Sequence, residues 1–287
     1  MCYAQGSVFV ACSLACLEQH QLEHGPLRSA RERAQSLLAD MNARHPDSRA
    51  SFAPHRARLM DLIGDGGEAE SLGVFGAGNA SDLELDWLTE RFAAVHLIDL
   101  DGAALERARA CVPTSRRERV VLHPDVDLSG LLDQLDPWGE AFPAARELGA
   151  HAVASARALL HQLGRFDVTL STCVLSQLGL PFRRAWVAPA STWANLSAAV
   201  TAVHLATLAG CTGRRGVLAF DVQVSGGVVT PEPRAVLAQL GAPGLKAFVS
   251  EPKLLEPWAW NLGDEELQVF AIEFAGAGAR PAASDPA

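Results

Sequence analysis

The chain is poor in several things that would mark other kinds of protein. Its six cysteines (Cys2, Cys12, Cys16, Cys111, Cys173 and Cys211) are scattered with no CxxC spacing, which excludes a zinc or disulfide framework and suits a reducing, cytoplasmic setting. Lysine and arginine total 24 against 33 acidic residues, for a net charge of −9. The arginine pairs Arg116–Arg117, Arg183–Arg184 and Arg214–Arg215 stand apart from one another and form no basic stripe, so a nucleic-acid partner is not expected. Long apolar runs are missing too. Val8–Leu17 is too short to span a bilayer, with no basic stretch before it and no A-x-A site after it. The longer run Leu196–Ala209 carries His204 and small polar residues, which favours a buried helix over a membrane span. No internal repeat is visible. Tyrosine occurs once, at Tyr3, ahead of every strand–helix alternation.

What is present is a large apolar fraction. Of 287 residues, 49% are hydrophobic and 20% charged, enough for one sizeable α/β domain. The most informative stretch is Ser71-Leu-Gly-Val-Phe-Gly-Ala-Gly-Asn-Ala-Ser-Asp82 followed by Ala94-Val-His-Leu-Ile-Asp-Leu-Asp101. It reads as a buried strand, a glycine turn, a helix and a second buried strand ending in a carboxylate. Gly76 and Gly78 let the backbone turn sharply and approach a ligand. Asp99 follows Gly78 by 21 residues, a layout suited to holding the ribose of an adenosine-containing cofactor. Asp101 directly precedes a helix and has a structural task as its N-cap, so Asp99 is favoured as the ribose ligand.

Residues 1–70 look mainly helical, with helical spacing over Arg28–Met41 and His55–Ile63, and are expected to cap the sheet edge. From Leu72 strand and helix alternate. Strands are expected at Leu72–Phe75, Ala94–Leu100, Arg119–His123, Phe166–Leu170 and Gly216–Asp221. Helices are expected from Ser81, where Ser81-Asp-Leu-Glu84 reads as a capping box, and over Gly102–Ala110, Ala141–Leu163 and Thr192–Ala209. Leu254–Leu262 and Leu267–Phe274, joined by Gly263-Asp264, read as a hairpin. The Ala/Gly/Pro-rich residues 275–287 are expected to be disordered.

Five βα units closed by an antiparallel pair resemble the class I S-adenosylmethionine-dependent methyltransferases over about residues 72–274. Gly76-Ala77-Gly78-Asn79 resembles that family's first motif and Ile98-Asp99-Leu100-Asp101 its ribose-binding strand end. His123-Pro-Asp125-Val126-Asp127 resembles its adenine-side segment, and Phe166–Leu175 its fourth strand. The resemblance implies a doubly wound, mostly parallel seven-stranded sheet ending in an antiparallel C-terminal hairpin, with a helical N-terminal cap and S-adenosylmethionine as cofactor. It further implies that Gly76, Ala77, Gly78, Asn79, Asp99, Leu100, Asp125, Val126, Ser171 and Thr172 contact the cofactor. Asn79 either does so or bonds its own turn. Ser176 and Gln177 either face the substrate or cap the following helix.

The sequence also departs from the family pattern. Where an acidic residue often stands two before the first glycine there is Val74, so contact with the amino group of the methionine moiety must come from elsewhere. The last glycine of the motif is Ala80. No Asn/Asp-Pro-Pro-aromatic motif follows strand four, which argues against methylation of adenine, cytosine or glutamine nitrogen. Ser176 and Gln177 replace the histidine found there in small-molecule members, and no catalytic base is named. The expected activity is methyl transfer to the oxygen or nitrogen of a small molecule, in a bacterial-type, cytoplasmic enzyme with no metal and no membrane or nucleic-acid partner. Three alternatives stay open: a nicotinamide-dependent oxidoreductase, weakened by the lack of any tyrosine after Tyr3; an aminopropyl or aminocarboxypropyl transferase on the same fold; and a non-catalytic cofactor-binding member. His204 is read as a core histidine, and Trp186, Trp193, Trp258 and Trp260 as core aromatics that could also line a pocket.

Overall fold

The computed structural model describes residues 3–5, 8–10, 29–43, 50–64, 69–138, 142–185, 190–223, 248–262 and 265–276. Within it, β1 (Tyr3–Gln5) and β2 (Val8–Val10) pair antiparallel, where helix was expected. The aromatic and β-branched residues Tyr3, Val8, Phe9 and Val10 favour extended backbone. Two helices follow, α1 (Ala30–Ala43) and α2 (Ala53–Ile63).

The alternation then runs β3 (Ser71–Phe75), α3 (Leu85–Arg91), β4 (Ala94–Ile98), α4 (Gly102–Ala110), a 3-10 turn over Thr114–Arg119 and β5 (Val120–His123). Next come α5 (Leu132–Trp138), α6 (Ala145–Leu163), β6 (Phe166–Thr172), α7 (Leu180–Ala185), α8 (Ala190–Cys211) and β7 (Thr212–Gln223). Three strands close the chain: β8 (Ser250–Leu254), β9 (Trp258–Leu262) and β10 (Glu265–Ala275).

The sheet order is β5-β4-β3-β6-β7-β10-β8, with β9 also on β10. The five strands from β5 to β7 are mutually parallel, and β10 is antiparallel to β7. The sheet is therefore doubly wound and mostly parallel, with an antiparallel end. Among the described residues it counts eight strands in seven lanes. Both β8 and β9 pair with β10, at Ile272–Ala275 and at Glu265–Val269 respectively, and so share one lane of the sheet. Leu255-Glu256-Pro257 interrupts that lane, and Pro257 has no N–H for the ladder. The hairpin expected over Leu254–Leu262 and Leu267–Phe274 thus has a broken first arm, and its turn at 263–264 lies outside the described residues.

Both faces of the sheet are covered, so its strands read as continuous apolar runs. Side chains alternate faces along each strand. Phe220, Phe270, Ile272 and Phe274 pack with α1, α5, α6 and α8. Val217, Ala219, Val269 and Ala271 pack with α2, α3 and α4. Thr192–Cys211 of α8 is long and apolar enough to cross a membrane, yet 56% of it is buried inside the fold.

Several expected elements shift; β7, expected over Gly216–Asp221, already begins at Thr212 and runs to Gln223. Ser81–Glu84 is a turn, and α3 begins only at Leu85 with no side-chain cap, because Glu84 is drawn into an ion pair with Arg56 of α2 at 2.6 Å. The segment expected as Ala141–Leu163 is preceded by α5, whose start is fixed by Asp127 accepting from the Leu132 N–H at 2.9 Å. β6 extends two residues past Leu170. The expected disordered tail lies almost wholly outside the described residues.

β3 sits between β4 and β6; the chain runs from β3 to β4 on one side and from β6 to β7 on the other. A crevice opens at such a switch point, beyond the carboxyl ends of the strands.

Candidate functional site

The crevice holds a cavity of about 480 Å³. Its floor is the turn after β3. Gly76 and Gly78 have φ of +77° and +47°, and Ala80 takes the same left-handed region at +51°. The Gly76 and Ala77 N–H groups both donate to the Ile98 carbonyl, at 2.9 and 3.2 Å. A Cβ on Gly76 would stand 2.8 Å from Val174, and one on Gly78 3.1 Å from Asn42 Oδ1. Gly76 leaves no room for a side chain, and the turn residues 76–82 border the cavity.

Asp99 and Asp101 divide two tasks. Asp99 Oδ2 accepts from the Gly78 N–H and Oδ1 from the Asp101 N–H, each at 2.9 Å. Burial pushes the Asp99 carboxyl up, against the pull of those two amides. Asp101 caps α4 through the Ala104 N–H at 3.0 Å and receives the Asn42 amide at 2.9 Å. Asp99 lines the cavity and Asp101 does not. Asn79 also lines it, but its amide donates to the Asn42 carbonyl and its oxygen accepts from Arg107 Nε, so its side chain is spent on α1 and α4 rather than on its own turn.

On the far wall, Leu100, Val126, Leu128, Ser129 and Leu132 border the cavity. Here the expected acidic residue shifts. Asp125, at φ +59°, is exposed and faces α1, where its Oδ1 accepts from Gln35 at 2.8 Å. The carboxylate on the cavity wall is Asp127, already bonded to the Ser129 N–H and hydroxyl and to the Leu132 N–H. A left-handed turn at Asp125 aims that side chain outward, and α5 recruits Asp127.

At the tip of β6 the strand alternation separates the two expected residues. Thr172 borders the cavity, whereas Ser171 is fully buried on the other face, 2.8 Å from His204 Nε2. His204 is a core histidine, its pKa lowered to about 4 by burial. Ser176 turns away from the cavity and donates to Asp221 Oδ1 at 2.8 Å, while Gln177 lines the wall. Cys173, at φ +48°, borders the cavity; burial and the nearby carboxylates Asp221 and Asp82 push its thiol up.

Several lining residues had no local signal. Asp82 borders the cavity, its pKa raised to about 6 by burial. Asn42, Leu38 and Met41 arrive from α1, and Phe52 from the turn before α2. Trp260 of β9 also lines the cavity, 93% buried, with His55 stacked on it at 4.3 Å. Its indole N–H has no hydrogen-bond partner among the described residues. The described lining residues include three carboxylates (Asp82, Asp99 and Asp127) and no lysine, arginine or histidine. Among the described residues no group of three metal-ligating side chains exists.

No protein-family model and no curated protein matches the sequence. Among solved structures the chain is similar to EvdMO1 (14% identity, TM-score 0.40), covering 77% of this chain and 40% of that one. It is also similar to magnesium protoporphyrin IX methyltransferase of Synechocystis PCC 6803 with bound SAM (12%, 0.40), covering 80% and 82%. A third is the N-methyltransferase NodS of Bradyrhizobium japonicum WM9 (13%, 0.38), covering 81% and 98%. Overlap at this level does not by itself assign the chain to a family.

Proposed function

We propose that the chain is a cytoplasmic S-adenosylmethionine-dependent methyltransferase with a small-molecule acceptor. The observation that carries this reading is the Asp99 carboxylate, fixed by two backbone amides beside a glycine turn at the switch point of the sheet. A fixed acceptor pair of that kind suits a ribose diol. The residues present fit the cofactor: Gly76 and Gly78 keep Cβ atoms off the turn, Leu100, Val126 and Leu128 offer apolar surface for an adenine, and a 480 Å³ cavity is within the usual range for such ligands.

Bound S-adenosylmethionine supplies a methyl group on a positively charged sulfur, already activated for transfer. The protein's part is alignment and exclusion of water, which contributes roughly 7–11 kcal/mol in well-oriented reactions. Thr172, Cys173 and Gln177 border the β6 end of the cavity, and Phe52, Leu178, Leu180 and Trp260 give it an apolar wall. A wall of that composition, without a cationic side chain among the described lining residues, favours a neutral or cationic acceptor with an apolar body over a phosphorylated one.

The test is incubation with S-adenosylmethionine and a panel of small phenols and amines, followed by product mass. Gain of one CH₂ unit with release of S-adenosylhomocysteine is expected. An aminopropyl or aminocarboxypropyl adduct would replace the reading, and so would binding of a reduced nicotinamide cofactor in its stead.

A further inference from the structure

We infer that the indole N–H of Trp260 is held for the methyl acceptor, and that this acceptor is an uncharged aromatic molecule with a carbonyl oxygen to receive it. The inference rests on the methyltransferase reading above and deepens it by naming the substrate class.

Trp258 and Trp260 stand two apart on β9 and so point to the same face of the sheet. His55 of α2 packs against both, with ring centres 5.7 Å from Trp258 and 4.3 Å from Trp260. The two indoles fare differently. Trp258 donates its N–H to His55 Nδ1 at 3.0 Å. That bond places the proton of the neutral imidazole on Nε2, and burial keeps the ring neutral by lowering its pKa to about 4. His55 therefore has no acceptor left for Trp260. Both the Trp260 N–H and His55 Nε2 are buried without a hydrogen-bond partner among the described residues.

Taking a donor out of water without giving it an acceptor is costly, and such groups are rare in folded proteins. Packing does not call for one here, since a phenylalanine would fill the same wall with no N–H to satisfy. His55 lies flat on the indole, and Phe52 meets it edge-on at 4.9 Å. The side left to a ligand is the cavity, which Trp260 borders together with Phe52, Leu178 and Leu180. An apolar wall of this kind suits a flat ring. The partner for a lone donor is a group that accepts and brings no proton of its own. A hydroxyl would add a donor in need of an acceptor, and a carboxylate would share the cavity with Asp82, Asp99 and Asp127 and no cation among the described lining residues. A carbonyl meets both conditions.

Calorimetry on protein saturated with S-adenosylhomocysteine tests the inference with two phenols of nearly equal size. Para-hydroxyacetophenone carries a carbonyl where para-ethylphenol has a methylene group. Wild type is expected to bind the ketone more tightly. Trp260→Phe keeps an aromatic ring at the wall; it is expected to weaken the ketone roughly 5–50-fold and the ethyl compound by less than about twofold. The phenols differ in acidity, but that difference is the same in both proteins and cancels.

A second readout uses wild type alone. The indole proton–nitrogen resonance of Trp260, identified by its absence in Trp260→Phe, should move to lower field when the ketone is added and not when the ethyl compound is. The Trp258 resonance, identified in the same way, should stay in place under both, because its N–H is already bonded. Equal weakening of both phenols in a folded Trp260→Phe variant, an unchanged affinity for the ketone, or an unmoved Trp260 resonance overturns the inference. So does failure of the loaded wild type to bind either phenol. Failure of wild type to take up S-adenosylhomocysteine overturns the cofactor reading instead.

Discussion

The backbone N–H of Gly78 donates to Asp99 Oδ2 at 2.9 Å. This bond ties the turn after β3 to the end of β4, so the carboxylate is oriented before any ligand arrives. The second oxygen is held by the Asp101 N–H, and Asp101 in turn caps α4 and receives Asn42 from α1. Turn, strand end, helix start and covering helix form one connected polar unit.

The turn tolerates no side chain at its first glycine. Gly76→Ala combines φ of +77° with a Cβ 2.8 Å from Val174. A destabilisation of about 1–3 kcal/mol is expected in denaturant unfolding, together with loss of S-adenosylhomocysteine binding. Gly78→Ala should be milder, because its Cβ would meet only the end of the Asn42 side chain at 3.1 Å. Equal stability of Gly76→Ala and wild type would contradict the geometry.

Helix α1 lies across the cleft and is tied down by polar bonds. Arg31 makes a two-pronged bond to Asp133 at 2.6 Å, Gln35 reaches Asp125 at 2.8 Å and Asn42 reaches Asp101 at 2.9 Å. Asn42→Ala removes the tie nearest the ribose-side carboxylate. Dissociation of S-adenosylhomocysteine should quicken by about 3–10-fold in stopped-flow measurements. An unchanged off-rate would mean that α1 does not retain the ligand.

Burial raises the Asp82 carboxyl from 3.8 to about 6, so the folded state holds its proton more tightly than the unfolded chain does. Below about pH 4 both states are protonated and nothing is lost. Stability falls as pH rises from about 4 to 6, and the cost is complete above that. Asp82→Asn should therefore stabilise the ligand-free protein above pH 6 by roughly 1–3 kcal/mol and leave it unchanged at pH 4. Thermal unfolding at the two pH values checks this; a lower midpoint for the variant at pH 7 would contradict it.

Ser171 and His204 belong to the core rather than the cleft. His204→Leu removes the partner of a fully buried hydroxyl and should cost about 1–3 kcal/mol in unfolding, with affinity for S-adenosylhomocysteine intact. Loss of affinity at full stability would move His204 into the site.

The parts of this architecture readable in the sequence were those set by local chemistry. Apolar runs gave β3, β4 and β6. The glycines gave the turn, and Asp101, next to a helical pattern, gave the start of α4 over Gly102–Ala110 as observed. What could not be read depended on residues far apart in the chain. Ser81–Glu84 has the pattern of a capping box, yet Arg56 from α2 takes Glu84. Asp125 and Asp127 differ by two positions, and only the left-handed backbone at Asp125 and the start of α5 decide which one meets the cavity. Strand periodicity alone would have split Ser171 from Thr172 had β6 been extended to its true end. Asn42, Phe52 and Trp260 come from α1, the turn before α2 and β9, and only the folded sheet brings them to one cavity.

The central claim is that the Asp99 end of the cleft holds the adenosine part of S-adenosylmethionine. Calorimetric titration of S-adenosylhomocysteine into wild type and Asp99→Ala tests it most directly, with circular dichroism to establish that the variant is folded. The account predicts one site per chain in wild type and at least a hundredfold weaker binding in the variant. A folded Asp99→Ala variant with wild-type affinity, or a wild type that binds no S-adenosylhomocysteine, would contradict it.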